Sequence, residues 1–227
     1  MNRKNLRSLA AGVALLLAVG ALAGCGGEKK ADDSKKMVTV GIAQLVEHGA
    51  LDAANKGFVA GMASKGFKEN ENVKYDRQNA QADQSNLQNI AQRFVSNKVD
   101  LICAIATPTA QTMANATKDI PIVATAVTDY EVAKLAASNN EPKGNVTGTS
   151  DMNPIDQQLE LLLKIAPQTK NIGTVYSSSE VNSQLQVDVL KKLAGDKGIN
   201  VIEATVSTVN DIQQAAHSLV GKVLSLI

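Results

Sequence analysis

From residue 37 onward, short runs rich in Val, Ile and Ala alternate with longer stretches whose apolar residues recur at helical spacing, and this alternation restricts the fold more than any other feature. Strands separated by a helix each cannot pair as tight hairpins; they run parallel, joined by βαβ crossovers, with helices covering the sheet. A strand is predicted over 38–43, then a polar loop over 44–49. A helix follows over 51–65, with Leu51, Ala54, Phe58 and Met62 on one face and Gly66 as its stop. A second strand is expected over 73–79 and a helix capped by Asp83 or Ser85, carrying Leu87, Ile90, Ala91, Phe94 and Val95 at helical spacing. The third unit is a buried strand over 101–106, a turn at Thr107-Pro108 with Pro at a first helical position, and a helix over 110–117. A fourth strand over 122–127 leads to a short helix over 129–137 and a loop over 138–148, beyond which the first lobe ends.

A second set of units opens at Pro154. Ile155, Leu159, Leu162, Leu163 and Ile165 mark an amphipathic helix that Pro167 terminates. A strand over 171–176, a polar loop over 177–183, a helix over 184–197 closed by Gly198, and a strand over 200–206 follow. Asn210 or Asp211 then caps a helix through Val220, and 222–227 reads as the opening of one more strand. The expected architecture is α/β with two parallel-sheet lobes, 37–151 and 152–227, the first of four strands and the second incomplete.

Composition narrows the chemistry. Lys plus Arg number 23 against 22 Asp plus Glu, a net charge of +1, which leaves no surplus for holding a polyphosphate backbone, so a nucleic-acid partner is not expected. Two cysteines and two histidines are too few for a disulfide scaffold or for most metal clusters, and neither a metal nor a cofactor is expected. No nucleophile elbow, P-loop or G-x-G-x-x-G occurs, so catalysis is not expected either. Cys103 sits inside an apolar strand and reads as a small buried hydrophobe.

The first residues read as an address. Arg3, Lys4 and Arg7 precede an uncharged apolar run over 9–23 that ends in small residues, the layout of a secretory signal and too short for a comfortable membrane span. Leu22-Ala23-Gly24-Cys25 is the order of a bacterial lipobox, which makes residues 1–24 a lipoprotein signal peptide and Cys25 the lipid attachment point. Residues 25–36 then form the lipidated Cys and a polar, flexible tether to the outer face of the membrane.

In open α/β sheets ligands bind beyond the carboxyl ends of the strands, so the loops there are the candidate site. They hold Gln44, Glu47 and His48 after the first strand, Thr107, Pro108 and Thr109 after the third, and Thr125, Thr128 and Asp129 at the end of the fourth. In the second lobe they hold Ser177, Ser179, Glu180, Asn182 and Ser183. Hydroxyls and helix N–H groups at Thr107 and Thr109 suit a carboxylate, and Glu47 or Asp129 could pair an ammonium, which together describe an amino-acid-like ligand. Taken singly, Asp129 and Ser183 also fit the role of turn former or helix cap. With aromatics so scarce, Tyr130 and Tyr176 are the nearest candidates for stacking on a ring.

Five segments carry a resemblance: Gly41-Ile-Ala-Gln44-Leu-Val-Glu47-His48-Gly-Ala-Leu51-Asp52, Ala106-Thr107-Pro108-Thr109-Ala110-Gln111, Thr125-Ala-Val-Thr128-Asp129, Gly144-Asn145-Val146-Thr147-Gly148 with Ser150-Asp151, and Tyr176-Ser-Ser-Ser-Glu180-Val-Asn182-Ser183. Together they resemble the substrate-binding lipoproteins of ABC importers, in the group described as tryptophan or tyrosine transporters. The resemblance implies a type I periplasmic-binding fold of two Rossmann-like lobes joined by a hinge. It further implies a small-molecule ligand such as Trp, Tyr, Phe or another amino acid in the interlobe cleft, lined among others by Leu51, and an ABC permease with its ATPase as partners. Members of that family continue further through the second lobe than 227, so the resemblance also implies a C-terminally shortened chain. Delivery to a permease, ligand sensing without transport, and a fragment that no longer binds all remain open readings. The lipid assignment is checked by feeding labelled palmitate to bacteria expressing the chain: the wild type is expected to incorporate label and Cys25→Ser to incorporate none.

Overall fold

The computed structural model describes residues 37–142, 144–223 and 225–226; the signal, Cys25 and the tether lie outside them. Five strands, β1 (Val38–Gln44), β2 (Val73–Asn79), β3 (Leu101–Ile105), β4 (Ile122–Val127) and β5 (Val146–Ser150), form one sheet in the order β2-β1-β3-β4-β5. Every pairing in it is parallel. A second parallel sheet has the order β7-β6-β8, from β6 (Asn171–Ser177), β7 (Asn200–Val206) and β8 (Ser225–Leu226). The helices are α1 (Gly49–Ser64), α2 (Gln84–Ser96), α3 (Thr107–Ala116), α4 (Ile155–Ile165), α5 (Val181–Gly195) and α6 (Ile212–Leu219).

Alternation along the central strands divides the first sheet into two buried faces. Val40 and Ile42 of β1 join Cys103 and Ile105 of β3 on the face covered by α1, where Leu51, Ala54, Phe58 and Met62 pack as their spacing predicts. Ala43, Ile102 and Ala104 point to the opposite face, against Leu87, Ile90, Ala91 and Phe94 of α2 and Ala110 and Met113 of α3. Gly66 (φ +89°) closes α1 in a left-handed conformation, its N–H donating to Ala63 O at 3.0 Å. Asp83, rather than Ser85, caps α2 by accepting from Asn86 N at 2.8 Å. In the second sheet Ile155 and Leu159 of α4 pack with Ile172, Leu190, Ala194 and Ile199 in a separate core.

Four expectations are corrected. Residues 129–137 form no helix; they make successive turns, with Ala133 and Leu135 N–H donating to Asp129 O and Tyr130 O, and Lys134 at φ +58° interrupts any helical path. The supposed loop over 138–148 contains the start of a fifth strand, β5. Gly148, which reads as a turn former, lies in that strand because a Cβ there would come within 1.9 Å of Ala124 O and 2.2 Å of the Tyr130 hydroxyl. Helix α5 begins at Val181, three residues before its expected start, so Asn182 and Ser183 belong to a first helical turn, and α3 begins at Thr107, one residue before the Pro108 expected at its first position. Finally, Asp211 stands at the N-cap position of α6, as one of the two expected residues, but its side chain makes no cap bond to that helix: it turns back to Thr208, and the two form a capping box around a 3₁₀ turn over Val209–Asp211.

Tyr130 ties the first two corrections together. It is 7% exposed, and its hydroxyl lies 3.0 Å from Ala124 O and 3.2 Å from Thr149 O, its one proton shared between the two carbonyls, bracing β4 against β5. Burial pushes its phenol up to about 12. Gly148→Ala forces a methyl into this brace. It is expected to destabilise the chain by about 3 kcal/mol, read as a lowered midpoint in urea unfolding with the slope unchanged.

Candidate functional site

In the order β2-β1-β3-β4-β5 the chain runs one way from β1 to β2 and the other way from β1 to β3, so the loops after β1 and β3 leave on opposite faces and open a crevice at the carboxyl end of the sheet. Register places Gln44, the last residue of β1, beside Ile105, the last of β3. The residues selected after β1, β3 and β4 are thereby brought to one end of one sheet.

Each makes a different use of that position. Gln44 is 4% exposed; its amide donates to Val46 O (2.9 Å) and Asp52 Oδ1 (2.6 Å), and its oxygen accepts from Asn55 Nδ2 (3.0 Å). Glu47 is exposed at the loop tip. His48 is the N-cap of α1, its Nδ1 accepting from Ala50 N at 3.3 Å. Leu51 turns back into the cluster beneath α1 and is a packing residue.

The turn after β3 is the most constrained point of the site. Ala106 has φ 87° and ψ 153°, a region that glycine occupies and side chains avoid, and its N–H donates to Thr125 O at 3.0 Å. That conformation ends β3 one residue early and turns the chain directly into α3, with Pro108 in the first turn, where a missing N–H costs nothing. Thr107 and Thr109 are 2% and 0% exposed, and neither Oγ1 has a hydrogen-bond partner among the described residues. First-turn N–H groups of a helix also lack intrahelical acceptors. Two unused buried hydroxyls thus stand beside the positive end of a helix dipole, a setting suited to an anion.

The remaining candidates divide. Thr125 Oγ1 lies 3.2 Å from Thr149 Oγ1, joining β4 to β5, and Thr128 offers its carbonyl to Ser150 Oγ at 2.7 Å. Asp129 accepts from Val132 N (2.7 Å) and Asn139 Nδ2 (2.8 Å), so both oxygens shape the turn. At the carboxyl end of β6, Ser177 and Ser179 hydroxyls are 3.0 Å apart and Glu180 begins α5. Ser183 donates its backbone N–H to Glu180 O (3.1 Å), and its side chain does not cap α5. Asn182 donates to Glu180 Oε2 at 3.3 Å while its own Oδ1 is buried without a partner among the described residues. Tyr130 is in the core and offers no free ring, while the Tyr176 hydroxyl is committed to Gln184 (3.0 Å) and Glu203 (2.7 Å). Cys103 is buried and free, its thiol pushed up to about 12 by desolvation.

Sequence reasoning missed Asp52, Asn55 and the Ala106 conformation. The first two left a faint signal, two short polar residues one helical turn apart on the flank of an otherwise apolar face of α1; the third left none. Among the described residues no cluster of His, Cys, Asp or Glu could hold a metal, and no helix is long and apolar enough to cross a membrane. Replacing Ala106 by Gly relieves the positive φ and is expected to stabilise the unliganded chain by about 1 kcal/mol, measured by chemical denaturation.

Known proteins resemble this chain in sequence and fold. The chain is 48% identical over 230 residues to the tyrosine-binding protein of Clostridioides difficile, covering 98% of this chain and 66% of that one. It is 40% identical, with a TM-score of 0.80, to an ABC domain from Streptococcus pneumonia solved in complex with L-Trp, over 83% of this chain and 64% of the other. With the ligand-free, open structure of a substrate binding protein with adhesive properties from Clostridium difficile the identity is 50% and the TM-score 0.61, again over 83% and 64%. The chain spans just under two thirds of the length of these relatives. A model of the family described as ABC transporter substrate binding protein matches residues 39–227, the resemblance drawn from the site loops themselves, and the chain belongs to that family.

Proposed function

We propose that this chain captures a small amino acid, of the aromatic class, between its two sheets and presents it to an ABC permease and its ATPase. The observation that carries the reading is the pair of buried, unpartnered hydroxyls of Thr107 and Thr109 at the start of α3, on the switch point of the first sheet. They match the carboxylate end of such a ligand, with hydroxyl and amide donors in a low-dielectric setting. Support for the ligand class comes from the relatives, one named for tyrosine and one solved with L-Trp.

The two sheets are the lobes of this mechanism, 37–151 and 152–227. Ligand that touches both stabilises the closed arrangement by its differential affinity for it. Structural agreement is higher with the L-Trp complex than with the open, ligand-free relative although identity is lower, which supports a closed-type arrangement of the lobes here. Ser177, Ser179, Glu180 and Asn182 are the second lobe's contribution, with acceptor oxygens for an ammonium. A lipid on Cys25 would hold the protein at the outer face of the membrane, where the permease opens.

Thermal unfolding with L-tyrosine, L-tryptophan and L-phenylalanine tests the reading. A ligand at a hundredfold excess over Kd adds about 2.7 kcal/mol to native stability, a clear rise in Tm. Thr107→Val and Thr109→Val are expected to leave the unliganded Tm unchanged or higher, since each removes an unpaired buried hydroxyl, and to weaken binding about tenfold. No Tm rise with any of the three amino acids overturns the proposal.

A further inference from the structure

Gln44 lies in the candidate site, yet its side chain has nothing left to give a ligand as a donor: both amide hydrogens are committed, to Val46 O and Asp52 Oδ1. Its oxygen is held in turn by Asn55 Nδ2. Asp52 and Asn55 lie one turn apart on α1, so the helix grips the amide from its oxygen and from its nitrogen at once. Since Gln44 ends β1, the grip connects the helix to the strand end beside the crevice.

The loop that follows is fastened in part through the same residues. The Gln44 amide holds the Val46 carbonyl, Ala82 N–H holds the Leu45 carbonyl at 2.8 Å, and Asp52 N–H holds the His48 carbonyl at 2.8 Å. Asp52 thus acts twice, with its side chain on Gln44 and its backbone on His48. A loop of four residues fastened at three carbonyls has little freedom, and Glu47 and His48 are presented from a fixed frame.

We propose that Asp52 and Asn55 are positioning residues for ligand binding, acting through Gln44 to hold the loop Leu45–His48 in its binding geometry. This rests on the amino-acid-binding reading above for its effect on affinity, but not for its effect on the loop. An isolated structural polar cluster would stabilise α1 alone; this one crosses from α1 to the strand end and to a loop carbonyl, which is the geometry of an outer-layer support for a site.

The test uses the full chain and Asp52→Ala, Asn55→Ala and Asp52→Asn variants, with two readouts. Amide hydrogen exchange of the unliganded proteins at Ala82 and Asp52, whose N–H groups hold the Leu45 and His48 carbonyls, reads loop exchange, and titration with L-tyrosine and L-tryptophan reports affinity. Asp52→Ala and Asn55→Ala are expected to speed exchange in the loop at least tenfold while α2 and β3 stay protected, and to raise Kd about tenfold. Asp52→Asn keeps an acceptor oxygen at the same place and is expected to restore both. Unchanged loop exchange in the alanine variants, or an Asn variant as impaired as the Ala variant, overturns the positioning role. If the wild type binds neither amino acid, the ligand reading above fails, and loop exchange alone then decides whether the support exists.

Discussion

The pairing of β1 on both sides, with β2 at one edge and β3 at the other, is the constraint on which the rest of the first sheet and its site depend. A parallel strand paired twice needs helices on both faces, and right-handed crossovers that carry the chain in opposite directions along the sheet supply them. That places α1 on one face and α2 and α3 on the other, and it sets Gln44 and Ile105 side by side at the strand ends. A register slip of one residue would send Val40 and Ile42 to the wrong face and carry the loop anchor away from α1. The same hydrophobic alternation that buries the strand therefore aims the loops.

The site so formed is neutral on its donor side. No Lys or Arg occurs at 44–51, 106–109, 125–129 or 177–183, and what is available at α3 is hydroxyl and backbone N–H. An anion held by fixed dipoles loses less to screening by salt than one held by an exposed cation, and selectivity comes from geometry, since a dipole favours only charge placed along its axis. The cost is paid in backbone strain at Ala106, where the turn from β3 into α3 is too abrupt for an ordinary conformation.

Most strands and helices were legible in the chain because their signals are local: β-branched runs for β1, β3, β4 and β6, helical spacing for α1, α2 and α4, and Asp83 or Gly66 at helix ends. Two of the misreadings have a common physical origin. Gly148 and the turns over 129–137 depend on a neighbour, the Ala124 carbonyl and the Tyr130 hydroxyl, that lies distant in sequence or across a strand. Tyr130 drew notice as a scarce ring, whereas its role is that of a polar pin through an apolar core. The site loops were legible for a different reason, since strand ends define them whatever the side chains do. What each side chain does there was not: Asp129 and Gln44 look like ligand contacts by type, and only the positions of Asn139, Asp52 and Asn55 show them turned inward.

Cys103 carries a consequence for how the sheet's integrity can be followed. It lies in β3 between β1 and β4 with no exposed surface, and desolvation keeps its thiol protonated well beyond neutral pH. The thiolate is the form that reacts, so alkylation needs a parting of the central strands, which admits the reagent and, by solvating the thiol, lets it ionise. Local fraying of loops does neither. The rate at which a maleimide or iodoacetamide label accumulates at Cys103 is therefore a clock for opening of the sheet's centre, insensitive to the motions of the loops at its carboxyl end.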